Sequence, residues 1–181
     1  MNIFFLDHEV EKCAKFHNDR HVVKMITELN QILSTAHRVL DGISVIGQSK
    51  SGRKQTQWEI QSDAIRETTL YKATHVNHPS AIWARANKEN YIWASNLSIA
   101  LAKEYAHRYG KLHKAEWSGL SSLLTRLPNT IETGEFFEPP LCMPEEYHVG
   151  STVESYRNYY KIGKAHLGQW KNREIPDWFL Q

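Results

Sequence analysis

The 181-residue sequence is poor in cysteine: Cys13 and Cys142 stand far apart and alone. That excludes a disulfide-stapled scaffold and a cysteine-based zinc site, and it reads as reduced thiols in a cytosolic protein. Six prolines and nine glycines are too few for a collagen-like or low-complexity chain. An excess of one charge is also missing. The 22 Lys and Arg oppose 20 Asp and Glu, a net +2, so any nucleic-acid surface must come from cations gathered on one face. No apolar run approaches the ~18 residues that a membrane span needs. No n-region and h-region pattern opens the chain, so a cytoplasmic protein without a membrane anchor is expected. The length suits one domain with its own core, taken as residues 1–181.

Polar-tipped rings, by contrast, are plentiful: ten His, six Trp and eight Tyr. They suit acid–base work and base stacking, and they also serve as ordinary core and surface residues.

Helical periodicity dominates the chain. Asp7 can cap a helix from about His8 to Phe16, and Asn18 or Asp19 a longer one to about Leu40. The longer helix carries Val22, Ile26, Leu29, Leu33, Ala36 and Leu40 at alternating steps of four and three, one buried face. Asp41-Gly42 ends it. Residues 41–57 read as a mobile loop with a basic cluster at Lys50, Arg53 and Lys54; residues 58–77 stay unassigned. His78-Pro79 opens a helical stretch to about Tyr109, stopped by Gly110, with a kink near Asn87. Further helices are expected over about Ala115–Leu127 and Val153–Trp170, separated by an irregular acidic-aromatic loop at 129–151. The tail should pack through Trp178 and Phe179. The expected fold is mainly α, a compact single-domain helical bundle with long irregular loops.

A polar edge runs beside the apolar stripe of the second helix: His21, Lys24, Glu28, Gln31 and Thr35. A carboxylate at the rim of a core is partly desolvated, which raises its pKa, while a nearby His or Lys pulls it back. Such a group suits general acid–base work or stabilisation of a cation. The bland alternative is a solvated Lys24–Glu28 pair four residues apart, worth a few tenths of a kcal/mol.

The run Asp19-Arg20-His21-Val22-Val23-Lys24-Met25-Ile26-Thr27-Glu28-Leu29 resembles the pyrimidine-dimer DNA glycosylases of the phage endonuclease V type. His78 and the following helix, with Glu104 and Arg108 before a glycine, are similar to that family's middle helix. Tyr156, Tyr159 and Tyr160, followed by lysines, are similar to its aromatic, basic C-terminal helix, and Met1, Ile3, Phe4 and Leu6 resemble the opening of bacterial relatives. The pieces come in the family's order, and segments 41–57 and 129–151 are insertions. The resemblance implies an all-α, single-domain DNA repair enzyme without a cofactor, acting on damaged or modified DNA and expected as a monomer. Its nucleophile is the α-amine at the chain start, which attacks C1′ of the sugar, expels the base and forms a Schiff base; strand cleavage by β-elimination can follow. An α-amine titrates near ~8, so part of it is neutral at physiological pH. Carried onto this chain, Glu28 is the acid–base and cation-stabilising partner, His21 lies nearby, and Met1 or Asn2 supplies the amine. Asn2 departs from the family's small second residue, and Thr27 and Gln31 stand where the family has arginines flanking its Glu. Lys24 is a fallback nucleophile.

Two other constellations remain open. His17, Asp19 and His21, with His75 and His78, have spacings compatible with a metal-dependent phosphohydrolase or nuclease, or with a capped helix start. His78-Pro79 at a helix N-terminus favours an anion, with Trp83, Arg85 and Lys88 nearby, or is an ordinary turn. Basic stretches interleaved with rings run through Lys103, His107, Arg108, Lys111, His113 and Lys114, and through Arg157, Lys161, Lys164, Lys171 and Arg173. Cations with rings suit a backbone-tracking, base-stacking surface. The expected DNA contacts are His78, Arg85, Arg108, Lys111, Arg157, Tyr159, Lys161 and Lys164, with the acidic loop 132–146 on the opposite face. A non-catalytic nucleic-acid-binding module is the third reading.

Overall fold

A computed structural model describes residues 1–49 and 51–180, so Lys50 of the expected basic cluster lies outside the described residues. Helix α1 (Val10–Phe16) leads to α2 (Asp19–Asp41), the longest element. The Asn18 side chain accepts the His21 N–H at the start of α2, satisfying one donor that a helix N-terminus leaves free. Glu9, not Asp7, is the N-cap residue of α1, although Asp7 accepts the Glu9 N–H. Val22, Ile26, Leu29, Leu33 and Ala36 of α2 are wholly buried, with Leu40 packed at the end of the stripe. They meet α4 (Pro79–Ala84) and α5 (Lys88–Tyr109), and α1 packs on α5. Ile3–Leu6 has no regular secondary structure yet is buried. Its burial draws the chain start into the bundle.

The helical stretch expected over 78–109 is two helices. Asn87 does more than kink the chain: its side chain accepts the Asn90 N–H and caps α5, while its amide donates to the Glu135 carbonyl. A side chain that bonds the local backbone offers an alternative to the helical ladder. At the other end of α5, Gly110 takes a left-handed φ of 66°, open to glycine at no steric cost. The helix expected at 115–127 is likewise divided, into α6 (Lys114–Trp117) and α7 (Leu120–Leu123), at left-handed Gly119.

Of segment 41–57, expected as a mobile loop, Asp41 closes α2 and residues 43–48 and 54–57 belong to the paired antiparallel strands β1 (Ile43–Gln48) and β2 (Lys54–Glu59). Its short alternation of β-branched and polar residues is masked in composition by Ser, Gln and Gly. The unassigned segment contains α3 (Ala64–Thr69). The last long helix is shorter than expected: α8 (Thr152–Lys161) ends where the Lys164 N–H closes back on the Tyr159 carbonyl, and a 3-10 turn follows at Ala165–Leu167. A final turn, α9 (Asp177–Leu180), packs Trp178 and Phe179 on the core as expected. Segment 129–151 is irregular but anchored: Trp83 donates to the Phe137 carbonyl at 2.8 Å, and the Phe137 N–H donates to the Asn90 side chain. The molecule is a mainly helical bundle with irregular loops, and no helix among the described residues is long and apolar enough to cross a membrane.

Candidate functional site

The N-cap at Asn18 and the stripe of α2 orient Glu28 at the bundle rim, its side chain 14% exposed. Burial of Ile3–Leu6 carries residue 2 to the same place. There the Asn2 backbone N–H donates to Glu28 Oε2 at 3.0 Å, while Lys24 Nζ lies 3.0 Å from Oε1. The two carboxylate oxygens therefore hold one group each: the chain start and an exposed ammonium. Met1 is partly buried against the core beside this contact.

Asn2 is pinned from its side chain as well. Its Nδ2 donates to the Cys142 carbonyl at 2.9 Å, and its Oδ1 accepts from the Ile3 N–H and, at 2.8 Å, from the Tyr156 hydroxyl. That hydroxyl also lies 2.7 Å from the Pro140 carbonyl, so one hydrogen is shared between two acceptors. The 140–142 part of the acidic-aromatic loop thus lies against the chain start. Residues 140–142 of this loop border the chain start because the Asn2 and Tyr156 side chains supply the polar partners that its backbone needs. Ser80 Oγ then meets Cys142 Sγ at 3.4 Å, which ties in the start of α4.

His78 borders the same region. Its Nδ1 accepts the Ser80 N–H as the N-cap of α4. Its pKa is lowered, first by burial and then by the N-terminal ammonium and His75, with Glu28 pulling the other way. His21 lies beneath the rim, buried, stacked on Phe4 at 4.3 Å and hydrogen-bonded to the Tyr160 hydroxyl. Burial, followed by the charges of His17, Lys164 and Lys24, lowers its pKa to about 3, so His21 is a neutral support for the site.

The residues considered for a metal point elsewhere. His17 is buried with Nδ1 on the Cys13 carbonyl, and Asp19 accepts from Arg108 and from the Lys171 N–H. His75 takes a left-handed φ of 49° with Nδ1 on Thr74 Oγ1. Among the described residues, no three His, Cys, Asp or Glu side chains are placed to hold a metal ion.

The expected DNA contacts divide. Arg108 is wholly buried, paired to Glu104 at 2.7 Å and to Asp19 at 2.9 Å, so it cannot reach a phosphate. A buried cation is kept only by such partners. Arg157 donates to the Leu6 carbonyl and to Asp7, over the rings of Phe16 and Trp178. It is committed to packing. Lys164 is half-buried and sits 5.0 Å over the Tyr159 ring, itself beside Tyr147. Lys161 and Arg85 are half-buried, and Lys111 is exposed beyond Gly110.

Sequence reasoning missed Cys142, Pro140 and Ser80 as neighbours of the chain start, and it placed Tyr156 only as a ring of the C-terminal helix. Their contacts are backbone carbonyls and hydroxyls far away in sequence, which leave no spacing to read. Compared with protein-family models, curated proteins and solved structures, the chain finds no match.

Proposed function

We propose that the protein acts on DNA as an N-glycosylase with lyase capacity, using the α-amine at its chain start as nucleophile and Glu28 as the acid–base partner. The observation that carries this reading is the 3.0 Å contact between the nitrogen of residue 2 and the Glu28 carboxylate. If Met1 is removed, that nitrogen is the amine; if Met1 stays, the amine lies one peptide further, near His78. The neutral amine attacks C1′ of the sugar, the C1′–N glycosidic bond breaks and the base leaves with a proton. The proton the base takes is the one the amine gives up; a second, relayed by the Glu28 carboxyl from water, goes to the ring oxygen as the C1′–O4′ bond opens, and the Glu28 carboxylate stabilises the positive charge of the resulting iminium. β-Elimination then breaks the bond from C3′ to oxygen, and water releases the enzyme. Lys24, 67% exposed and paired to the Glu28 carboxylate, supplies a cation beside the acid for a DNA phosphate.

Borohydride reduction in the presence of abasic or base-damaged duplex DNA is the test. A covalent adduct on the N-terminal peptide, weakened by about 10²-fold or more in Glu28→Gln, is expected. No adduct with any such substrate, or an undiminished one in Glu28→Gln, overturns the reading.

A further inference from the structure

The hairpin is unused by the chemistry above. Directly opposite residues of an antiparallel pair share a face, so Ser44, Ile46, Gln48, Lys54, Thr56 and Trp58 lie together on one side of the ribbon. All but Trp58 are exposed, and Ile46 is 73% so. On the other side, the Gln57 side chain folds over Gly47 and donates to the Gln48 carbonyl. The exposed face is therefore a cation, an amide and two hydroxyls around one apolar side chain. Arg53 adjoins it in the sequence, and no acidic residue occurs from Ile43 to Trp58.

The hairpin and the candidate site stand at two ends of one edge of α2. Arg38 of α2 donates to the Trp58 and Tyr71 carbonyls at the hairpin end. From there residues 71–78 follow the helix back through Ser34 and the Thr35–Thr74 contacts toward His78. The thirteen residue steps from Glu28 to Asp41 span about 20 Å at the α-helical rise, roughly six base-pair steps of duplex. A two-stranded ribbon fits the major groove, and its amide, hydroxyl and cationic groups are those that meet base edges and phosphates.

We propose that the β1–β2 hairpin is a second duplex-DNA contact, a ribbon that enters a groove about half a helical turn from the strand held at Glu28. The placement of that strand rests on the function proposed above, while the hairpin's own binding does not. The charge of the ribbon decides the partner: exposed Arg53 and Lys54, with no acid from Ile43 to Trp58, are complementary to a polyanion.

Binding of an undamaged DNA duplex of about 30 base pairs, followed by fluorescence anisotropy over a salt series, tests the hairpin. The double variant Arg53→Glu/Lys54→Glu should lose at least about tenfold in affinity at low salt, and its salt slope should shrink by about two. Thr56→Glu, on the same exposed face, should weaken binding in the same direction. Both substitute exposed side chains, and an unchanged circular dichroism melt verifies the fold. Affinity and slope equal to those of the unaltered chain overturn the hairpin contact. The duplex carries no lesion, so absence of borohydride trapping removes the catalytic reading alone, and unchanged duplex binding removes the hairpin alone.

Discussion

At the scale of single residues, Asn2 joins three parts of the chain that are distant in sequence. Its backbone N–H reaches α2, its side-chain Nδ2 reaches segment 140–142, and its side-chain Oδ1 accepts from Tyr156 of α8. Tyr156 is buried, and burial pushes its pKa well above the usual phenol value, so it stays a neutral donor throughout the physiological range. Tyr156→Phe would leave the ring in place and remove the hydrogen that positions Asn2. A stability loss of about 1 kcal/mol is expected from a single hydrogen bond. The rate of borohydride trapping should fall by roughly tenfold, since misplacing the amine costs near-attack geometry. Equal trapping rates at full folding would show that Tyr156 does not position the chain start.

At the scale of elements, side-chain caps decide where helices begin. Asn18, Asn87 and Ser151 each accept a backbone N–H at the start of α2, α5 and α8, and Glu154 completes a reciprocal cap at Ser151. Asn18 matters most for function because α2 carries Glu28. Asn18→Ala should cost about 1 kcal/mol. A lower urea midpoint at unchanged slope would record it, whereas a changed slope would mean that the first turn of α2 and its neighbours had come loose. The apolar stripe of α2 was legible in the sequence and its cap was narrowed to Asn18 or Asp19, because helix burial and capping depend on residues within a turn or two. The break at Asn87 was legible only as a kink. Its completion depends on the Glu135 carbonyl, which no local pattern contains.

At the scale of the whole molecule, burial of neutral imidazoles ties stability to pH. Burial is the first cause that lowers His17 and His37 to about 4 and His21 to about 3. Above ~6.5 these rings are neutral in both folded and unfolded chains, and the stability is complete. Below that value the unfolded chain takes up protons that the folded chain refuses. Stability therefore falls with pH until the folded values are passed, with a slope of at most about 4 kcal/mol per pH unit for three rings. Urea midpoints should drop between about pH 6.5 and pH 4, and His37→Gln should flatten that drop. A flat profile over this interval would mean that the rings are not buried neutral. Glu67 acts lower: desolvation is outweighed by bonds from the Ile60 N–H, Lys72 and Arg38, which hold its carboxyl at about 2. Its contribution is lost only below about pH 4.5.

The helical class, the buried face of α2 and the candidacy of Glu28 came from the sequence alone, because 3.6-residue periodicity and capping are local properties. The meeting of Asn2 with Glu28, the approach of Cys142 and Tyr156, and the withdrawal of Arg108 and Arg157 into ion pairs and carbonyl contacts came only from the tertiary structure. A charged residue reads the same in sequence whether it faces water or a buried partner. Which it faces depends on packing between segments dozens of residues apart, as does the pairing of residues 43–48 with 54–59.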